Sequence, residues 1–459
     1  MTLQRRAMKR IWIKEPLAIY STEEASGGLV IEDEKIAELV SEGQKPTGEV
    51  DQVFDASNLV VLPGLINTHH HFYQTLSRSF PNALNQPLFA WLENLYPLWA
   101  ELSISDISIS TRLALSELLL SGCTTTVDHH YLFSNELQNA IDAQVYEASD
   151  LGMRAVLCRG SMSLGVDQGG LPPSSVVQDE KIILADSERL IKTHHDSGEG
   201  SMLQIALAPC SPFSVTRQLM EATSEMASTY NVKVHTHLAE TEDENAYCLD
   251  HYGMRPLDYL EDLNMLNNKI WLAHGIHFDK NEIARLGNAK VGVSHCPSSN
   301  MILSSGICPV FELEKAGVNI GLGVDGSSSN DSSNMIEELR MAMLLQRLKS
   351  GAQQISHLDA IRWATSGSAA SIGRSDIGEL SVGKQADIAM FSLKEPRFSG
   401  FSDALASLIL SGAHKADFVM VAGNWVVENG ELTGIDLEKM LADHQLAAKN
   451  LINRYNEGR

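Results

Sequence analysis

Two textures alternate along the chain. Between Val60 and about residue 325, short runs of consecutive apolar residues are separated by stretches whose apolar positions recur every three or four residues. Runs apolar at every position suit parallel strands buried on both faces, and the helical spacing between them suits covering helices. The runs predict eight strands: Val60–Thr68, Cys123–His129, Arg154–Arg159, Leu203–Pro209, Val232–His237, Ile270–His274, Lys290–His295 and Val318–Asp325. Helices are predicted at Ile109–Ser121, Glu136–Leu151, Thr216–Tyr230, Arg255–Leu263 and Pro309–Ala316. Eight strand–helix units over about 300 residues predict an α/β protein with a closed (β/α)8 TIM-like barrel, not an open sheet.

On either side the pattern shortens. Arg10–Lys14, Gly28–Glu32, Lys35–Val40 and Gln52–Ala56 read as short strands, punctuated by glycines. After about residue 376 the same texture returns in Ala389–Phe391 and in Phe418–Val427, a hairpin predicted around Gly423-Asn424. Two such regions flanking a barrel predict one small β-sandwich built from both termini. The expected division is 1–62 and 377–434 for the sandwich, 63–376 for the barrel, and 435–459 for a C-terminal helix capped by Asp436.

Composition adds exclusions. The 459 residues are 44% hydrophobic and 20% charged, ordinary values for a globular enzyme. A formal net charge of -23 argues against a nucleic-acid partner, which needs basic surface. No apolar run approaches the roughly eighteen residues of a membrane span, so no membrane partner is expected. The basic start, Met1 to Arg10, lacks a following apolar segment. Six scattered cysteines without a C-x-x-C pair read as reduced thiols in a cytoplasmic protein.

Chemistry concentrates at strand ends. The first strand runs into His69-His70-His71, the fifth ends in His237, the sixth in His274 and the eighth in Asp325. In a parallel barrel these ends share one face, where active sites are built. Three imidazoles and a carboxylate suit one divalent metal, zinc before iron or manganese, so His69, His71, His237 and Asp325 are the candidate ligands. Such a metal would make hydroxide available near neutral pH. Glu240, three residues past His237, is placed to shuttle protons, His274 to steady a tetrahedral intermediate, and Asp325 to hold the water. His235, His129, His130 and His295 also lie near strand ends and could replace a ligand; they are read as supporting or lining residues.

These residues resemble the amidohydrolase superfamily, in its mononuclear branch of nucleobase and triazine deaminases. The likeness is carried by Pro63 to His71, His235-Thr236-His237-Leu238-Ala239-Glu240, Ala273-His274-Gly275 and Gly323-Val324-Asp325-Gly326, with Gly378 to Ile388 as the exit from the barrel. It implies the barrel, the sandwich, one divalent metal on His69, His71, His237 and Asp325, and acid–base work by Glu240, His274 and Asp325. The fourth strand ends in Ala208-Pro209-Cys210 without a lysine for a carboxylated bridge, which argues for one metal.

Within the branch, Asn67 to Gln74, Cys158 to Gly165, Gln168 to Pro173, Gly253 to Leu260 and Gly412 to Asp417 are similar to 8-oxoguanine deaminases. Gln74 matches a purine-binding glutamine of guanine deaminases; it reads equally as a buried strand-end cap. At the end of the fourth strand this chain lacks the arginine that guanine deaminases carry, and Arg159 is a candidate replacement, or else an ion-pair partner. Trp91 is a candidate stacking platform or a core residue. The expected reaction is deamination of an amino-oxo purine, 8-oxoguanine to urate and ammonia. Triazine amino- or chlorohydrolysis, deamination of guanine, isocytosine, adenosine or S-adenosylhomocysteine, and a non-catalytic scaffold are the alternatives. Partners are then a small heterocycle and, by family habit, further copies of the chain.

Overall fold

The apolar run from Leu59 to Asn67 is two strands, and Gly64 is where they part. Leu59–Pro63 pairs antiparallel with Ile388–Ser392, whereas Leu65–Asn67 enters a different sheet beside Cys123–His130. A methyl group on Gly64 would stand 2.1 Å from the Thr124 hydroxyl, so glycine lets the chain change sheets against its neighbour. The computed structural model describes residues 9–134 and 136–458, and most of the basic start lies outside the described residues.

Eight parallel strands close into a barrel in chain order: β1 (Leu65–Asn67), β2 (Cys123–His130), β3 (Arg154–Ser161), β4 (Leu203–Pro209), β5 (Val234–Leu238), β6 (Ile270–His274), β7 (Gly292–His295) and β8 (Asn319–Leu322). Each corresponds to a predicted strand, with two consequential differences. β1 stops at Asn67 and β8 at Leu322, so His69, His71 and Asp325 stand on loops past the strand ends. Strand alternation therefore does not aim them; loop conformation does.

Helices cover the outside as the spacing predicts, with boundaries set by caps. Ile104–Leu120 starts more than a turn before the predicted Ile109, because Ser103 and Asp106 form a reciprocal capping box. The helix predicted from Glu136 begins at Ala140. Thr216 caps Arg217–Tyr230, and Asp436 caps Leu437–Glu457. That last helix packs on Ile104–Leu120 and on the helical turn Phe72–Ser77, where His444 Nε2 meets Thr75 Oγ1 at 3.0 Å. Val127, Val156, Cys158, Ala206 and Trp271 fill the barrel interior together with Ala369 and Ile372. All six cysteines are buried and free. No helix among the described residues is long and apolar enough to cross a membrane.

The flanking segments form two sheets. One is ordered Lys35–Val40, Gly28–Glu32, Arg10–Lys14, Gln52–Asp55; the other runs from Glu431–Leu432 through Asn424–Glu428, Phe418–Val421, Ile388–Ser392 and Leu59–Pro63 to Ala18–Ile19. Ile13, Leu29, Val61, Ile388 and Met420 share the core between them. The hairpin turn falls one residue earlier than predicted, on Ala422-Gly423: Val421 pairs with Asn424, and both turn residues have positive φ (45° and 75°).

Sandwich and barrel are tied by a buried ion pair. Arg154, at the start of β3, meets Asp387 through Nε at 3.0 Å and Nη2 at 3.1 Å, and both side chains are almost wholly excluded from solvent. Nη1 of Arg154 donates to the carbonyls of Gly200 and Ser201, and Asp387 also accepts from the Ala422 N–H. Removing one partner would leave the other charge buried alone, which costs about 3–5 kcal/mol. Arg154→Met is therefore expected to lower unfolding stability by that amount, read as a fall in urea midpoint with little change in slope.

Candidate active site

The last residues of β5 and β6 and the loops after β1 and β8 bring the predicted chemistry together. His69 and His71 stand with ring centroids 4.7 Å apart, and His237 and His274 lie 4.9 and 5.5 Å from His69. Asp325 Oδ1 is 3.3 Å from His69 Nε2 and 3.4 Å from His71 Nε2. His237 Nε2 faces His71 Nε2 at 3.3 Å. His70 turns away: its Nδ1 accepts the N–H of His71.

Partners behind the rings fix which nitrogens are bare. His71 Nδ1 meets the His129 carbonyl and His237 Nδ1 the Cys210 carbonyl, both at 2.7 Å. A carbonyl only accepts, so each Nδ1 carries the proton. His69 Nδ1 meets His235 Nε2 at 2.8 Å, and His235 Nδ1 meets the Trp271 carbonyl at 2.9 Å. His235 must donate to that carbonyl, so its Nε2 accepts from His69. Burial pushes the pKa of all four imidazoles down and keeps them neutral. Three Nε2 lone pairs and a carboxylate thus face one point, and His69 Nε2 is buried without a hydrogen-bond partner. Two bare nitrogens 3.3 Å apart repel unless a cation lies between them. This donor set fits a divalent metal of the zinc type, with second partners orienting each ring.

Glu240 and His274 stand beside this centre. His274 Nε2 is 3.4 Å from Glu240 Oε2 and 3.9 Å from Asp325 Oδ2, while its Nδ1 donates to Asn300 Oδ1 at 2.9 Å. Burial opposes protonation of His274, but the Glu240 and Asp325 carboxylates outweigh it and hold its pKa above the usual value. Burial and the nearby Asp325 push that of Glu240 up. Asp325 is held well below the usual carboxylate range: burial works the other way, and the imidazoles packed around it, His69 first and then His274 and His71, overcome it. Ser299 donates to Asp325 Oδ2 at 2.6 Å. Ala239, His274 and Asp325 all have positive φ (54°, 70° and 63°), so backbone strain falls on three non-glycine residues of this site.

A narrow cavity opens onto these groups. Gln74, Trp91, Tyr96, Tyr131, Phe213 and Ser329 form part of its wall, together with His71, His237, Glu240, His274 and Asp325. Gln74 is thus at the cavity, although Ser328 N–H also donates to its Oε1 at 3.3 Å. Trp91 is nearly buried, and its Nε1 donates to the Ser328 carbonyl at 3.3 Å. Arg159 is not in the wall. It sits on β3 next to Cys158, which points into the barrel, so strand alternation turns Arg159 outward. There its guanidinium pairs with Asp186 at 2.9 Å, bonds Gln178 and lies 3.7 Å over the Phe133 ring. The ion-pair reading is the one the structure shows. Sequence reasoning passed over Asn300, Ser299 and Glu244, none of which stands at a strand end or in a metal-ligand pattern.

Comparison with known proteins agrees with this architecture. The amidohydrolase family pattern matches residues 60–426. The chain is 57% identical over 447 residues to the 8-oxoguanine deaminase of Pseudomonas aeruginosa, covering 97% of this chain and 100% of that one. It is 32% identical over 424 residues to an isoxanthopterin deaminase of an unknown prokaryotic organism, covering 88% of each. The crystal structure of an atrazine chlorohydrolase from Arthrobacter aurescens TC1, complexed with zinc, superposes with a TM-score of 0.90 at 30% identity, over 96% of this chain and 100% of that chain. A closed barrel with its donor set at and just past the strand ends, and a family match over most of the chain, place this protein in the amidohydrolase family.

Proposed function

We propose that the chain hydrolytically deaminates 8-oxoguanine to urate and ammonia, with His69, His71, His237 and Asp325 holding one divalent metal, zinc before iron or manganese. The observation that carries the metal site is the set of proton-free Nε2 atoms facing Asp325. The similarity to an 8-oxoguanine deaminase over nearly the whole chain carries the substrate. When bound, such a metal lowers the pKa of a water molecule from about 15.7 toward roughly 7.

The protein's own groups do the rest. Asp325 Oδ2, steadied by Ser299, accepts a proton from the attacking water as its oxygen bonds to the ring carbon bearing the exocyclic amine. Glu240, whose burial favours holding a proton, hands it to the adjacent ring nitrogen, takes up the hydroxyl proton of the tetrahedral carbon and passes it to the amine. The amine leaves as ammonia as the C–N bond breaks and the C=O bond forms, and the proton held by Asp325 then restores Glu240. His274, fixed by Asn300, supports the oxygen at the tetrahedral carbon. Gln74 offers its amide to a base oxo group and Trp91 borders the ring plane, both from the cavity wall. The same reading takes the enzyme to be a cytoplasmic homo-oligomer; size measurement on the purified protein tests the oligomer.

Triazine hydrolysis is the second reading, favoured by structural neighbours that are triazine hydrolases. Side-by-side assays of 8-oxoguanine, guanine, isocytosine and a hydroxylated triazine decide between them, with the highest kcat/KM expected for 8-oxoguanine. Glu240→Gln is expected to lower kcat by about 10²- to 10⁴-fold with bound metal unchanged; full activity would refute the proton-shuttle role. Chelation is expected to remove activity and zinc to restore it. Protein from metal-replete expression that contains no metal would instead support the scaffold reading. Arg159→Met is expected to leave KM for 8-oxoguanine unchanged while lowering the unfolding midpoint, because it removes an ion pair outside the cavity.

A further inference from the structure

Glu240 sits on a short strained loop, and something must hold it. The loop follows β5, and Ala239 takes a left-handed backbone (φ 54°) immediately before Glu240. In this conformation the successive N–H groups of Ala239 and Glu240 turn toward one side and form a concavity that suits an anion. The anion is the Glu244 carboxylate: Oε1 accepts from the Ala239 N–H and Oε2 from the Glu240 N–H, each at 2.9 Å.

Glu244 reaches this place from the first turn of helix Glu242–Tyr252. Thr241 caps that helix by accepting the Glu244 N–H at 3.3 Å. In the usual capping box the third helical residue reaches back to the N–H of the cap itself. Here it reaches beyond the cap, to the two residues before it. The other face of the same peptide is held from the loop after β6: the Ala239 carbonyl accepts the N–H groups of Ile276 and His277, both at 2.9 Å. The loop carrying Glu240 is thereby joined to the one following His274. Glu244 is fully buried and is absent from the cavity wall.

We propose that Glu244 is a positioning residue, which acts on the reaction only by fixing Glu240 within reach of the substrate. The inference rests on Glu240 being the proton carrier. Loss of one acceptor oxygen leaves one of the two amides unpaired and frees the strained loop to relax, which moves Glu240 relative to His274. A displacement of about 1 Å at a catalytic group costs up to roughly 10²-fold in rate.

A double-mutant cycle tests it, using wild type, Glu244→Gln, Glu240→Gln and the double variant, each metal-loaded, with 8-oxoguanine as substrate. Glu244→Gln is expected to lower kcat by about 10- to 100-fold with KM within about threefold and bound metal unchanged. In the Glu240→Gln background the same substitution should change residual kcat by less than about twofold. An equal loss in both backgrounds, or wild-type kcat in Glu244→Gln, would overturn the inference. Full activity of Glu240→Gln alone would instead overturn the role of Glu240. Glu244→Asp keeps the charge but is too short to reach both amides, and it carries the same cycle if Glu244→Gln does not fold. It should lose activity like Glu244→Gln; wild-type kcat in Glu244→Asp would overturn the inference.

Discussion

The catalytic end of the barrel depends on keeping three imidazole nitrogens free of protons. Each ring could present either a donor or an acceptor to the centre, and only the acceptor form binds a cation. The choice is made behind the rings, by two backbone carbonyls and by the relay through His235 to the Trp271 carbonyl. Those carbonyls belong to the neighbouring structure of the barrel: His129 on β2, Cys210 just past β4 and Trp271 on β6. The register of the barrel therefore decides the protonation of the site. Shifting one strand by a residue would move a carbonyl and reverse a face.

A second constraint is the strain in the loops. Ala239, His274 and Asp325 each occupy a region that L-residues avoid, at roughly 1–3 kcal/mol apiece. The strain persists because each of these residues is gripped by its surroundings. Ala239 is held by Glu244 and by the loop after β6, His274 by Asn300, and Asp325 by its N–H to the His69 carbonyl and by Ser299. The restraint on each residue comes from another loop or from a nearby helix, Glu242–Tyr252 or Pro297–Ile302, so the site is a mutual lock among separate segments.

Much of this was legible in the sequence because it rests on local pattern. Eight apolar runs, and the histidines and aspartate that follow them, are visible without any structure, and so is the proximity of Glu240 to His237. The split at Gly64 was not legible, since Leu59–Pro63 and Leu65–Asn67 are equally apolar and only their pairing partners differ. The outward turn of Arg159 depends on which parity of β3 faces the axis, and a run apolar on both faces conceals that parity. Glu244 was hidden within the acidic run Glu242–Glu244, where a helix start explains all three carboxylates equally well. The fold followed from periodicity; the supporting contacts required knowing which distant backbone groups come near.

The helix Leu437–Glu457 reaches back to the turn Phe72–Ser77, where His444 bonds Thr75 across 369 residues of sequence. That turn begins one residue after His71 and carries Gln74 into the cavity wall. The wall that would read a substrate is therefore braced from outside the barrel, by a helix that supplies none of the proposed metal ligands. Geometry at the mouth can thus be altered from a surface helix while the centre keeps its own restraints.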